Sequence, residues 1–170
     1  MPGHIRIVND PVELVPLLMT FNDTSFKKVY ELLSKSWMTE TELQSQVGGD
    51  HISLCLEILK KGNLVEEQWR MPKPGNKPIR EFRATYNKFR ANFQCNLQDL
   101  SDIIYISLSN DENLRGVVEQ LEGELKNGNS SINDLSRKFN VSPVFIKGLA
   151  KRIPELDVKG QGLVHIDTGR

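Results

Sequence analysis

A cluster of basic side chains between positions 70 and 90 is the feature of this sequence with the clearest chemical use. Seven lysines and arginines stand there against one acid, Glu81, so the stretch carries a net charge of +6. Basic side chains at this density favour contact with nucleic-acid phosphates over simple exposure to solvent. The candidate contacts in this stretch are Arg70, Lys73, Lys77, Arg80 and Arg83.

The overall charge balance conceals two further charged stretches. The 170 residues contain 22 lysines and arginines and 22 aspartates and glutamates, so the formal net charge is zero. Residues 137–152 carry five bases and no acid, whereas residues 99–125 carry seven acids and one base. Because phosphates repel acidic helices, we expect residues 99–125 to face away from a nucleic acid and to form a linker or a dimer interface.

Helical signals precede the first basic stretch. Apolar residues recur at helical spacing over residues 25–37, and Thr39 with Glu42 matches a capping box that begins a second helix. The glycine pair at 48–49 is predicted to end that helix, and Asp50 to cap a third one. This pattern predicts a helix followed by a helix-turn-helix.

The basic stretch itself is predicted to be a hairpin. Residues 64–71 and 79–86 are β-prone and partly alternating, and the sequence PKPGNKP between them contains three prolines that no strand could continue through. Residues 22–90 therefore supply the element order of a winged helix-turn-helix, with a long and exposed wing tip. An unrelated α+β arrangement is the less favoured alternative.

The second half of the chain repeats part of this pattern. Residues 97–109 and 114–126 are predicted helices, and a turn leads to a second helix-turn-helix over residues 131–153. A glycine-rich turn at 160–162 predicts a second, shorter wing. Apolar positions of the two helix-turn-helix segments correspond at a spacing of 92 to 94 residues, which supports an internal repeat.

The predicted fold is mainly α with small β-hairpins, an α+β class. We expect a winged helix-turn-helix over residues 1–91. A helical module with the second helix-turn-helix and a short hairpin should follow over residues 92–170.

The predicted recognition helix has few side chains that read bases. Only His51, Ser53 and Glu57 can hydrogen-bond to base edges, since no Arg, Asn or Gln is present for bidentate pairing. Leu54 is either an exposed apolar side chain or a contact to a thymine methyl, and Lys61 suits a phosphate. The candidate residues of this helix are His51, Ser53, Leu54, Glu57 and Lys61.

The second helix-turn-helix allows two interpretations of equal weight. Lys147 and Lys151 suit phosphates, while Val144 and Phe145 are more typical of a protein contact. A second DNA or partner contact through Phe145, Lys147 and Lys151 is one interpretation. The other is that this segment keeps the helix-turn-helix shape only for packing or dimerisation.

Catalytic and metal-binding patterns are not found in the sequence. The three histidines, His4, His51 and His165, lie far apart, and no phosphate-cradling glycine loop or H-E-x-x-H motif occurs. His51 and Cys55 are four residues apart on one predicted helix but supply only two of the usual four zinc ligands. Cys55 is expected in the core. We predict no enzyme activity, no metal and no cofactor.

The sequence is typical of a cytoplasmic protein. No apolar run approaches the roughly 18 residues that a membrane span needs. The first residues lack the basic and then apolar layout of a signal peptide. Two cysteines, Cys55 and Cys95, are too few for a disulfide framework.

Three segments carry a family resemblance. Residues 62–65 (GNLV), 75–78 (GNKP) and 82–86 (FRATY) resemble the wing of ArsR-type winged-helix transcriptional regulators. The whole chain is similar to the archaeal branch of that family. The resemblance implies a sequence-specific regulator that binds double-stranded DNA as a homodimer. The family's metal-sensing box, with two closely spaced cysteines, is absent, so metal-responsive derepression is not implied.

Two other functions are kept as alternatives. Tandem winged-helix proteins also act as protein-interaction scaffolds in transcription or chromosome machinery. Two features favour that function: the recognition helix has few side chains that can contact bases, and three apolar side chains are expected to be exposed, namely Leu54, Val144 and Phe145. A redox or ligand sensor that uses Cys55 or Cys95 has weaker support.

Overall fold

The first half of the chain folds around four helices and a small antiparallel sheet. The computed structural model describes residues 3–168. Its first half contains these elements: β1 (Ile5–Val8), a 3₁₀ turn (Pro11–Glu13), α1 (Leu14–Asn22), α2 (Thr24–Leu33), β2 (Met38–Thr39), α3 (Glu40–Val47), α4 (Ile52–Lys61), β3 (Val65–Arg70), β4 (Ile79–Ala84) and β5 (Lys88–Ala91).

Local capping begins the helices that sequence analysis predicted. The Asp23 carboxylate accepts a hydrogen bond from the N–H of Phe26 and begins α2. Thr39 and Glu42 form the predicted capping box, in which Glu42 accepts from the Thr39 N–H at 2.7 Å. Each bond satisfies a backbone N–H that the first helical turn leaves without a partner.

The prediction that Asp50 caps α4 is wrong. Gly48 and Gly49 both adopt positive φ, +78° and +87°, a conformation that glycine adopts without a steric penalty. The chain runs one residue further before it turns helical, so His51 takes the N-cap position and makes no side-chain capping bond.

The sheet of the first half has the strand order β2-β4-β3, all antiparallel. Val65 pairs with Ala84 and Arg70 with Ile79, so β3 and β4 form the predicted hairpin, and the tip lies between residues 70 and 79. Phe82 and Ala84 are buried against the helices, while the far end of the hairpin projects into solvent. The order of helices and hairpin is that of a winged helix.

The second half is built from four helices and a hairpin. These are α5 (Leu97–Leu108), α6 (Asp111–Lys126), α7 (Ile132–Phe139), α8 (Pro143–Arg152), β6 (Leu156–Lys159) and β7 (Gly162–His165). Ser131 and Ser142 cap α7 and α8 through their hydroxyl oxygens. The predicted second helix-turn-helix and its short hairpin are therefore formed.

Helix α8 packs closely on α5. A Cβ at Gly148 would lie 2.8 Å from Cδ1 of Ile106, so glycine permits this approach. Ile103, Ile106 and Leu149 are fully buried where the two helices meet.

Two apolar cores fill the molecule, and α1 contributes to both. One core contains Phe26 and Leu59, and the other contains Ile106 and Leu149. Met19 of α1 packs against both cores. A boundary between residues 91 and 92 stays a prediction, and any such boundary leaves α1 in contact with both halves.

Strand β5 was not predicted. It pairs in parallel with β1, with Ile5 opposite Lys88 and Val8 opposite Ala91. The four residues of β5 are all exposed, so the strand shows no alternation of buried and exposed positions that the sequence could have displayed.

Candidate nucleic-acid interface

A groove lies between α3, α4 and the wing. Its volume is about 420 Å³. Its lining includes Ser53, Glu57 and Lys60 of α4, Gln44 of α3, and Ile79 and Arg80 of β4. Side chains of the predicted recognition helix and of the predicted wing therefore line one concave surface. An arrangement of this kind permits one element to meet base edges while the other meets phosphates.

Gln44 and Thr41 are polar groove residues that sequence analysis missed. Both are exposed on α3 and line the groove. Gln44 donates a weak bond of 3.4 Å to the Gly49 carbonyl, and glutamine is a good partner for adenine in the major groove. The signal that could have found them is their position on the polar side of the helix that begins at the Thr39 capping box.

Ion pairs connect the charges in and beside the groove. Lys60 Nζ lies 3.6 Å from carboxylate oxygens of both Glu57 and Glu67, and Arg80 Nη1 lies 3.8 Å from Glu67. Arg80 also stacks over the Trp69 ring, 5.1 Å from its centroid. Pairs this long and this exposed contribute little, so a phosphate can compete for either cation.

The wing tip carries two cations without internal partners. Lys73 and Lys77 are exposed, and no ion pair within residues 3–168 includes them. Gly75 lies between them at φ +90°, and the Asn76 N–H donates to the Lys73 carbonyl, which closes the turn. Both ammonium groups are therefore presented to solvent on an ordered turn.

Arg70 connects three elements. Its Nη atoms donate to both carboxylate oxygens of Glu42 at 2.6 and 2.9 Å, and its Nε donates to Glu81 at 2.6 Å. Glu81 also accepts from Gln68 at 2.7 Å. The guanidinium, predicted as a phosphate contact, thus joins the wing strands to the first turn of α3. Its structural role is to fix the wing angle, and we leave it out of the proposed DNA contact.

Because of the Glu42–Arg70 ion pair, we expect the fold to lose stability at acidic pH. Hydrogen bonds from Arg70, and then from the Thr39 N–H, lower the pKa of Glu42 to about 2 from an ordinary value of 4.5. A carboxylate with a lowered folded-state pKa contributes stability above its unfolded value and loses it as the pH falls. Between about pH 5 and pH 2 the loss should be of order 1 kcal/mol, because solvent screens this half-exposed pair.

The measurement is the free energy of urea unfolding as a function of pH. Glu42→Gln should remove this part of the acid dependence. Glu40→Gln, on the same helical turn, is the matched control and should keep it. An unchanged acid dependence in Glu42→Gln would contradict the assignment.

Lys61 lies away from the groove. Its Nζ donates to the carbonyls of Ala150 at 2.8 Å and Leu156 at 2.5 Å, and burial lowers its pKa. Lys151 Nζ lies 3.5 Å from the Lys61 carbonyl. These bonds fasten the end of α4 to the end of α8. We leave Lys61 out of the proposed contact set because its ammonium is committed to the second half of the chain.

The remaining candidates of α4 and β4 are half-buried. Leu54 packs against the first core, and His51 stacks on Phe26 with a centroid separation of 6.2 Å. His51 Nε2 and Arg83 Nε are buried and have no hydrogen-bond partner within the described residues. Ser53 and Glu57 reach the groove, so they are the α4 candidates with access to a ligand there.

The basic residues of α8 do not form an open surface. Phe145 stacks on Tyr105 at 6.5 Å, and Lys147 and Lys151 are half-buried. In α8 only Pro143 is exposed, because α5 and α1 cover the helix. The burial of α8 favours the packing interpretation, and the second DNA or partner contact through Phe145, Lys147 and Lys151 stays a prediction.

Chemistry at Cys55 has no support in the geometry. Cys55 is fully buried, as predicted, and burial, followed by the nearby charge of Asp23, raises the pKa of its thiol to about 12. The thiolate that reacts or binds metal is therefore disfavoured.

Within residues 3–168 no three His, Cys, Asp or Glu side chains are grouped to hold a metal ion. No helix in that range is long and apolar enough to cross a membrane.

The helix-turn-helix, the three-stranded sheet and the projecting basic hairpin define a protein of the winged-helix type. The sequence also matches the family model described as ArsR transcriptional regulator over residues 8–167, so the chain belongs to the ArsR family of transcriptional regulators. It is a DNA-binding regulator, and the family is a non-enzymatic class. No curated protein matches the sequence. The archaeal branch stays a prediction.

Proposed function

We propose that this protein is a cytoplasmic regulator that reads the major groove of double-stranded DNA with its α3–α4 surface and holds the phosphates with its wing. Ser53 and Glu57 of α4, joined by Gln44 of α3, are the base-edge candidates. Arg80, Lys73 and Lys77 are the phosphate contacts. His51, Leu54 and Arg83 take a supporting role, because they are half-buried beside the groove.

One observation carries this proposal. Polar side chains of α3 and α4 line the same groove as Arg80 of the wing, and the two lysines of the wing tip have no ion-pair partner within the described residues. Because the backbone of the tip is already held in a turn, phosphate binding adds little backbone entropy cost. Family membership gives the general function, and this groove gives the surface that would perform it.

Footprinting of bound genomic fragments tests the proposal. We expect protection of a defined sequence and contacts in the major groove with flanking phosphates. Random fragments of equal length and base composition are the matched control. Equal protection of random fragments would reject sequence-specific regulation, and absence of protection on both sets would favour the scaffold alternative.

The scaffold alternative has lost one of its supports. Leu54 packs against the first core and Val144 and Phe145 against the second, so these side chains are not exposed as the alternative required. The exposed apolar side chains of the wing, Trp69 and Met71, are the features that still favour a protein partner.

We further propose that the protein acts as a homodimer through α5. Leu97, Ile104 and Leu108 are 83%, 45% and 49% exposed, and with Ser101 they recur at spacings of four, three and four residues. This spacing places the three apolar side chains and Ser101 along one face of the helix. A second copy that presents the same face would bury it.

The expected result for Ile104→Glu is a monomer, because a charge at the centre of this face cannot be desolvated without a partner. Sedimentation or light scattering of the pure protein measures the mass. Gln120→Glu adds the same charge on α6 and should leave the dimer intact. A dimer that persists in Ile104→Glu would place the interface elsewhere.

A further inference from the structure

Two clefts lie next to each other along α1 and share the side chains of Leu17, Phe21 and Phe89. One has a volume of about 430 Å³ and is otherwise lined by leucines and Asn22. The other has a volume of about 310 Å³ and adds polar groups, among them Asn87 and Lys88. The pair therefore makes one site that is apolar at one end and polar at the other.

The charged side chains that line this site are all basic. Among the described residues that line the two clefts, Arg6 and Lys88 are cations and none is an acid. Arg6 is already committed, since it pairs with Glu13 at 2.9 Å and donates to the Gly62 carbonyl at 3.2 Å. Lys88 takes part in none of the ion pairs within residues 3–168. One free cation thus stands at the polar end.

The apolar end exposes large side chains to water. Phe21 is 49% exposed and Phe89 is 55% exposed. Leaving this much apolar area in water is unfavourable, and a hydrocarbon chain that covers it lowers the free energy. The occupant that fits both ends is a molecule with a hydrocarbon chain and a single negative group.

We propose that this site binds an amphipathic monocarboxylate, with its chain over Phe21 and Phe89 and its carboxylate at Lys88. The Asn87 amide, beside the ammonium, can donate a second hydrogen bond to the carboxylate. A site with one free cation favours a monoanion, since a second charge would remain unpaired. This ligand site is independent of the proposed DNA contact and lies on different elements.

Calorimetry with the full-length protein and decanoate, below its micelle concentration, tests the proposal. Decan-1-ol has the same chain without the charge and should bind at least tenfold more weakly. Removal of one methylene from the acid should weaken binding by about fourfold while the apolar end is being filled. Both results together require the chain and the carboxylate to contribute.

Variants test which residues contact the two ends of the ligand. Lys88→Gln should weaken decanoate binding by about tenfold and leave decan-1-ol unchanged. Arg90→Gln removes the same charge from the same strand outside the lining and should change neither. Phe89→Ala should weaken both ligands. Because Lys88 and Phe89 are exposed on an edge strand, these variants are expected to fold.

Three outcomes would overturn the proposal. Equal binding of decanoate and decan-1-ol would show an apolar surface without anion recognition. An unchanged decanoate affinity in Lys88→Gln would show that the carboxylate lies elsewhere. Absence of binding, with Phe89→Glu converting a dimer into a monomer, would show that a second copy of the chain covers the cleft. None of these outcomes bears on DNA binding.

Discussion

Replacing Arg152 with alanine should lower the free energy of unfolding by about 3 kcal/mol. The Arg152 side chain is only 7% exposed. Its Nη1 donates to the carbonyls of Ile106 and Ser109, and its Nη2 donates to Asp111 at 2.7 Å. The guanidinium thus satisfies carbonyls at the end of α5 that helix geometry leaves without partners. Its loss leaves those carbonyls buried without a donor and also opens space beneath α8.

Urea unfolding of Arg152→Ala measures this effect. Arg137→Ala is the matched control, because Arg137 lies on α7 with a side chain that is 78% exposed and should change stability by less than about 0.5 kcal/mol. Arg152→Lys should be intermediate, since one ammonium cannot reach three acceptors in a fixed geometry. A loss no greater than that of Arg137→Ala would show that water replaces the guanidinium at no cost.

Replacing both wing-tip lysines, Lys73→Ala with Lys77→Ala, should weaken DNA binding by roughly tenfold near physiological salt. Each phosphate contact that is lost returns counterions to the DNA, so the slope of log affinity against log salt should fall by about one per lysine. The loss should be similar for every DNA sequence, because phosphates carry no base identity.

The measurement is fluorescence anisotropy of a labelled duplex across a salt series. Lys159→Ala is the control, since Lys159 is exposed on β6 and far along the chain from the wing. An equal loss in Lys159→Ala would indicate a diffuse charge effect. A changed sequence preference in the double variant would mean that the wing tip reads bases and that the wing is placed wrongly in the proposal.

The two predictions separate what the two halves of the molecule do. Arg152 belongs to the second half, where its guanidinium is buried and hydrogen-bonded. Lys73 and Lys77 belong to a hairpin that leaves their ammonium groups in solvent. Stability should respond to the first change and DNA affinity to the second. A protein scaffold would show the first response without the second.

The local elements could be predicted because their causes lie within a few residues. Ser131 and Ser142 each cap a helix through an N–H three residues on, and Thr39 with Glu42 does so for α3. The proline-rich tip of the wing excludes regular structure by itself. These signals gave the order of helices and hairpins, and with the wing residues they gave the ArsR family that the match over residues 8–167 confirms.

The groups that each basic side chain contacts in the folded protein could not be predicted in this way. Lys61 meets the Ala150 carbonyl 89 residues further along the chain, and Arg70 meets Glu42 28 residues earlier. Such partners are set by how helices pack and not by neighbouring residues. The same reason hid the pairing of β1 with β5, whose strands are separated by most of the first half.

By itself, then, the sequence determined the order of the helices and of the two hairpins, the winged-helix arrangement and the presence of three charged stretches. The tertiary structure alone decided which charges remain free to act. It buries Arg152, fastens Lys61 to the second half and pairs Arg70, and it leaves Lys73 and Lys77 in solvent. The physical reason is that a cation's availability depends on the acceptors within about 4 Å of it, and in a folded chain most of these come from distant segments.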